Sequence, residues 1–415
     1  MSRQSAVPRH HCLAAARPNG RSVRAGLLAS FGGLALIAGT LAGCSSSGGT
    51  ASTAAGDGPA ILGPAIPLAS SAVVSTTTWA TLAMGHLDDP LNTFWQLLAL
   101  TGGSTWQLAT PLGTATNGGL VATAGTASLL AGIEPSLDLT FSPLASTTDQ
   151  GSTWSQGLLP GALAPVPDAL SRGDGAESIA LLRGGGGTVV STAGDLSAWK
   201  PVATVRSLRS DPALTGCHLG SLTAVALDAS GATMVGASCA RGGQAGLFVA
   251  SGAGWVSAGP GIPGVAGGPT EVIRLVGTAS GTSALVSAGT GPATRLFSLW
   301  STNGLRSWTV STGLALGGGT LISTGVTGSG GFVIAVAGTN GTRGASVVSP
   351  STGRWVGLAP LPPDTESVTA TPGGGFDVLA PNQSTLVVYG LGETGWGRVQ
   401  RLPVAIQYGS SGSRP

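Results

Sequence analysis

The densest group of side chains able to bind a polar ligand or move a proton is His86, Asp88, Asp89 and Asn92. They lie in the run Gly85-His86-Leu87-Asp88-Asp89-Pro90-Leu91-Asn92-Thr93-Phe94-Trp95. An imidazole, two carboxylates and an amide so close together could contact a ligand or a cation. The same residues also cap turns in solvated loops, because short acids bond the backbone of their own turn. Glu134 and Asp138 form a second, sparser pair open to the same two readings. Neither group has the ligand spacing of a metal site, so no ion and no other cofactor is expected. Beyond residue 43 the chain holds two histidines, His86 and His218, and two tyrosines, Tyr389 and Tyr408. Catalysis by a histidine general base has little to work with. No GxSxG, HExxH, P-loop or EF-hand pattern is present, and the glycine runs at 184–187 and 317–319 lack the lysine or helix that phosphate binding needs.

A different kind of pattern stands at Thr147-Thr148-Asp149-Gln150-Gly151-Ser152-Thr153-Trp154. Gly151 can take the positive φ of a tight turn, and Asp149 can accept from the turn's own N–H groups. Thr153 and Trp154 are expected to begin a strand, with the indole as an apolar anchor that needs one acceptor. The carboxylate of Asp149 therefore reads as part of a self-satisfied corner, not as a catalytic acid.

The amino end has the order of an export signal. Met1 to Arg24 carries five arginines and no acid, and Ala25 to Gly43 is uncharged and apolar. Leu41-Ala42-Gly43-Cys44 resembles the lipobox of bacterial lipoproteins, which implies cleavage before Cys44 and diacylation of its sulfur. A transmembrane anchor is the alternative, since the apolar run is almost long enough to span a bilayer. Without residues 1–43 the chain keeps 14 Lys and Arg against 17 Asp and Glu, a formal charge of -3 in place of +2. No basic patch remains to suggest nucleic acid. The expected membrane contact is the lipid on Cys44, at the outer face of the cell membrane, where stable anchoring takes more than one acyl chain. Ser45 to Pro59 is Ser, Gly, Thr and Ala without apolar periodicity and reads as a flexible tether.

Cys12 falls in the signal and Cys44 would carry lipid, leaving Cys217 and Cys239. Strands expected at 222–227 and 232–238, around Asp228-Ala229-Ser230-Gly231, would set these two roughly opposite each other. A disulfide follows, in keeping with an oxidising compartment. The metal alternative would recruit His218 and the distant His86.

The elements that must position these groups are short strands. The chain has 70 Gly and only 36 charged residues in 415, with recurrent Val, Leu and Ile runs and few helical patterns. Trp106, Trp154, Trp199, Trp255, Trp308, Trp355 and Trp396 follow one another at intervals of 48, 45, 56, 53, 47 and 41 residues. That is the spacing of propeller blades, each a four-stranded antiparallel sheet. The expected architecture is an all-β, seven-bladed β-propeller over 65–408. It is preceded by the signal peptide (1–43) and the lipidated tether (44–64), and followed by a disordered tail (409–415). Three consecutive sets of four strands are expected within 271–312, 320–359 and 367–402. The fourth strand of the first blade could come from 65–75 or from the tail near 404–408.

On these residues the chain resembles the Asp-box, or BNR-repeat, β-propellers. Thr147, Asp149, Gly151, Thr153 and Trp154 form one full box, Ser301 to Trp308 a degenerate one, and the remaining copies keep mainly Gly and Trp. With its Gly85 to Trp95 segment, the chain also resembles a group of uncharacterised lipoproteins of high-GC Gram-positive bacteria. The resemblance implies the fold and brings no activity with it. With no catalytic constellation in the sequence, a binding surface remains, and the expected function is that of a monomeric, non-catalytic surface propeller that binds a protein or glycan. The enzymatic alternative is a sialidase-like glycoside hydrolase, which would need three arginines and a tyrosine nucleophile with a carboxylate partner.

Overall fold

The computed structural model describes residues 69–85, 93–102, 105–110, 120–124, 129–133, 144–157, 167–173, 177–182, 187–252, 254–302, 304–382 and 384–404. The export signal, Cys44, the tether, His86, Asp88, Asp89, Asn92, Glu134, Asp138, Tyr408 and the tail at 409–415 lie outside the described residues.

The described chain is all-β. Its other regular elements are one short α-helix, α1 (Val205–Arg209), and two 3-10 turns at Pro212–Cys217 and Gly291–Ala293. The strands follow a repeated antiparallel meander of four. In the first set Ala69–Val74 pairs with Thr77–Gly85, which pairs with Thr93–Thr101, which pairs with Trp106–Leu108. Later sets open on Leu120–Ala124, Ala169–Arg172, Leu219–Leu227, Thr270–Thr278, Thr320–Val326 and Ser367–Ala370, and each continues through three further strands. A two-residue strand, Leu314–Ala315, is added beside the fifth set. The fourth strand of the first set thus comes from the amino side. Of the alternative segment at 404–408, Val404 donates its N–H to the Ser384 carbonyl at 2.7 Å and packs into the apolar interior, and 405–408 lie outside the described residues.

Each such sheet has apolar residues on both faces, so both must be covered. The buried residues fall into clusters that straddle consecutive sets. Trp79, Leu97 and Ala99 of the first set pack on Leu129, Ala131 and Ala145 of the second, and Leu130 and Leu144 of the second on Leu170, Ala180 and Val190 of the third. The third meets the fourth through Ile179, Leu181, Val225 and Phe248. The fourth meets the fifth through Ala226, Met234, Val272 and Leu299. Leu285 and Leu296 of the fifth meet Phe332 and Ile334 of the sixth, whose Val333 and Ala345 meet Val368 and Val378 of the seventh. The last cluster joins Leu379, Leu386 and Val388 of the seventh set to Leu82, Leu98 and Trp106 of the first.

The spaced tryptophans occupy these seams. The indole N–H of Trp106 donates to Asp377 Oδ2 at 2.8 Å, and its backbone exchanges two hydrogen bonds with the Gln400 amide, both at 2.8 Å. Trp154 meets Trp79 edge to face, with ring centroids 6.3 Å apart. Trp308 donates to the Ala258 carbonyl and Trp396 to the Ala359 carbonyl, each one set back along the chain. The strand expected from Thr153 starts at Ser155 instead, because the Thr153 N–H is turned back onto Asp149 Oδ1 at 2.9 Å.

The helical insertion before the fourth set was not foreseen. Thr204 and Ser207 form a reciprocal capping box at the start of α1. Leu208 and Leu214 are buried against the third and fourth sets. A helix of five residues is too short to show a 3.6-residue apolar period. The 3-10 turn delivers Cys217 to Cys239, and the expected disulfide is formed, with a Cα separation of 5.0 Å. The intervening turn is the anticipated one: Asp228 Oδ1 accepts from the Ser230 and Ala232 N–H groups. Replacing both cysteines by alanine should lower unfolding stability by about 3 kcal/mol on the chain-entropy estimate for a loop of this length. Denaturant titration of the two forms measures it, and equal midpoints would contradict the estimate.

Candidate functional site

The first strands of the sets lie beside one another: first with second, second with third, third with fourth, fourth with fifth, sixth with seventh, and seventh with first. They carry an unusual number of buried hydroxyls, among them Ser71, Ser171, Thr223, Ser323 and Thr324. A hydroxyl in such a place must find a partner or cost free energy. Most bond the neighbouring set. Ser171 Oγ accepts from the Leu227 N–H at 3.1 Å, Thr223 Oγ1 donates to the Val272 carbonyl at 2.7 Å, and Ser323 Oγ accepts from the Val368 N–H at 3.1 Å. Residues 69–72 also pair in parallel with 323–326, joining the first and sixth sets into one sheet. This close approach requires Gly325, where a Cβ would stand 2.6 Å from Ser71 Oγ and 2.7 Å from Val333 Cγ1.

One cation spans this centre. Arg274, on the first strand of the fifth set, donates from Nη1 to the Thr324 carbonyl and to Thr324 Oγ1 at 2.9 Å, and from Nη2 to the Ser71 carbonyl at 2.8 Å. A single planar guanidinium therefore ties the fifth, sixth and first sets. Desolvation lowers its pKa to about 10, which leaves it charged at neutral pH. Arg172 ends the first strand of the third set. It is 9% exposed, its Nε and Nη1 have no hydrogen-bond partner among the described residues, and burial lowers its pKa. The sequence signal for Arg274 was available: a lone charge inside Val272-Ile273-Arg274-Leu275-Val276.

The Thr147 to Trp154 corner has the geometry its sequence demands. Gln150 and Gly151 take φ of 60° and 88°. Thr147 Oγ1 accepts from the Gly151 N–H at 2.8 Å and donates to Asp149 Oδ1 at 2.8 Å. Asp149 also accepts from the Thr153 N–H at 2.9 Å and from Thr153 Oγ1 at 2.6 Å. Space at Gly151 is also tight, since a Cβ there would stand 3.3 Å from the Trp79 ring. Bonds to the Thr153 hydroxyl, the Thr153 N–H and the Thr147 hydroxyl hold the Asp149 carboxyl at a pKa of about 2. Asp377 is shifted the other way: burial raises its pKa, and the bond from Trp106 offsets part of that.

Of the candidate ligand residues named from sequence, all six lie outside the described residues. Tyr389 is on the third strand of the seventh set, half-buried against the cluster shared with the sixth. Among the described residues no group of three or more His, Cys, Asp or Glu side chains is placed to hold a metal ion. No helix among them is long and apolar enough to cross a membrane.

No protein-family model matches the chain, and a search of curated proteins finds no match. Solved structures are similar to it. The periplasmic gluconolactonase PpgL of Pseudomonas aeruginosa is 14% identical over 79% of this chain and 96% of that one, with a TM-score of 0.49. YCF48 from Cyanidioschyzon merolae is 15% identical over 80% and 94%, with a TM-score of 0.42. The Aleuria aurantia lectin, a six-bladed β-propeller, is 11% identical over 71% and 94%, with a TM-score of 0.42. Identities this low say nothing of what this chain binds.

A carboxylate whose pKa is depressed in the native state adds stability above its unfolded pKa. That contribution is lost as pH falls through the native value. For Asp149 the window runs from its ordinary 3.8 down to about 2. Carboxyl NMR titration should place the Asp149 midpoint near the lower value, and Thr153→Val should move it upward. A midpoint unchanged by Thr153→Val would contradict the assignment.

Proposed function

We propose that the chain is a seven-bladed β-propeller of the Asp-box kind, exported as a lipoprotein and held at the outer face of the cell membrane through lipid on Cys44. It acts by binding a protein or glycan partner, without catalysis. Support for the blade reading comes from the apolar clusters that link each four-stranded set to the next and the seventh back to the first. The disulfide suits an exported protein.

The observation that carries the binding reading is the use made of the groups whose proton affinity is shifted. Shifted titratable groups gather at catalytic centres, but structural networks shift them too. Here Asp149 and Asp195 each accept from turn partners, Asp377 accepts from Trp106, and Arg274 ties first strands together. These four groups are engaged in holding sheets and corners; Arg172, the fifth shifted group, is buried at the end of a first strand. Tyr389, one of the two tyrosines open to a sialidase-like reading, packs in an apolar seam; the other, Tyr408, lies outside the described residues. The partner contacts are assigned to the polar connections with His86, Asp88, Asp89 and Asn92, and with Glu134 and Asp138.

Two measurements check this. Palmitate labelling in the producing bacterium should mark the wild-type protein and be lost in Cys44→Ser, which should appear in the medium. Membrane pull-down should recover a specific partner that is lost when Asp88 and Asp89 are both changed to Asn. Unlabelled protein that stays in the membrane would overturn the anchor, and sialoside hydrolysis abolished by Tyr389→Phe would overturn the non-catalytic reading.

A further inference from the structure

The last strand of the seventh set, Gly395–Pro403, reads GWGRVQRLP and holds two arginines and no acid. In a regular strand, Arg398 and Arg401 would face opposite sides of the sheet, being three residues apart. The register breaks between them. Val388 is opposite Gln400, whereas Tyr389 is opposite Arg398, so Val399 is an extra residue on this strand. Such a bulge re-aims the side chains beyond it. Arg398 and Arg401 now stand across from Tyr389 and Val387, two residues of the same parity. Gln400 is left on the other face, where it bonds Trp106 of the first set.

Arg398 and Arg401 line one open groove of about 360 Å³, together with Asn382, Ser384, Thr385 and Val387. Both arginines are exposed, and neither side chain makes a hydrogen bond or ion pair among the described residues. The Ser and Thr hydroxyls and the Asn amide add neutral donors beside the two forks. The volume is in the lower part of the range for small-ligand sites, about 300–1,000 Å³, and exceeds what one inorganic oxyanion needs.

We propose that this groove binds an acidic sugar unit, its carboxylate or phosphate gripped by Arg398 and Arg401 and its hydroxyls met by Asn382, Ser384 and Thr385. Paired Arg forks match planar and tetrahedral oxyanions by bidentate bonds. The proposal deepens the glycan side of the binding reading and rests on it. It also moves the contact from the connections of the first and second sets to the outer edge of the seventh.

The test is titration of the purified full-length protein with glucuronate, glucose 6-phosphate and glucose at low and high salt, followed by NMR of the arginine Nε–H groups. Glucuronate or glucose 6-phosphate should shift Arg398 and Arg401, with the shift reduced by salt, and glucose should not. Whichever acid binds names the oxyanion. Arg398→Gln and Arg401→Gln should each weaken binding about tenfold, the usual loss for one charge-assisted hydrogen bond, with the unfolding midpoint unchanged. No shift with either acid, or equal affinity in the double variant, would overturn the site. Partner capture that persists in the double variant and is lost in the Asp88 and Asp89 variant would sink this inference and leave the wider binding function standing.

Discussion

Everything in this fold depends on covering two apolar faces per sheet. A four-stranded antiparallel sheet with Leu, Val and Ala on both sides has no stable existence alone in water. Each set can be covered only by its two neighbours, and the end sets of an open row would each leave a face bare. The cluster of Leu82, Leu98 and Trp106 with Leu379, Leu386 and Val388 removes that problem by setting the seventh sheet against the first. The Trp106 side chain is 2% exposed there, and its indole N–H is matched by the half-buried Asp377 carboxylate. Breaking either partner would strand a polar group in an apolar seam.

The same constraint accounts for the composition. Sheets converging on their first strands leave little room there, and small residues such as Ser171, Thr223, Ser323 and Gly325 stand where they meet. The small hydroxyls serve both as spacers and as bonds between sets. Arg274 is larger, and it is tolerated because three acceptors from two other sets surround its guanidinium. Arg172 and Glu271 are further buried charges on first strands, whereas Asp149, Asp195 and Asp228 lie in turns and fold their own corners.

Much of this could be read in the chain. The tryptophan spacing located the seams because a large flat side chain is what fills a wedge between two sheets. The four-strand sets after residue 270 were legible because glycine turns separate clean apolar runs. The Asp149 corner was legible because its bonds are all local. Less visible were features decided by distant partners. Nothing near Trp106 announces Asp377, 271 residues away. Nothing in Ala69–Val74 announces a parallel pairing with the sixth set, and the short helix at Val205–Arg209 is set by its cap and by what Leu208 touches. The bulge that brings Arg398 and Arg401 together is likewise a property of two strands in register. The polar connections that sequence put forward for ligand contact gain no geometry from the structure.

The claim beneath all of this is that the seventh set closes on the first. Hydrogen exchange of the tryptophan indole N–H groups tests it most directly, because the Trp106 indole is shielded only if that seam is shut. The account predicts that Trp106 exchanges as slowly as the core amides, through global unfolding alone. An open row of sheets would instead let Trp106 exchange orders of magnitude faster than Trp308, which lies in an interior seam, and that result would contradict it.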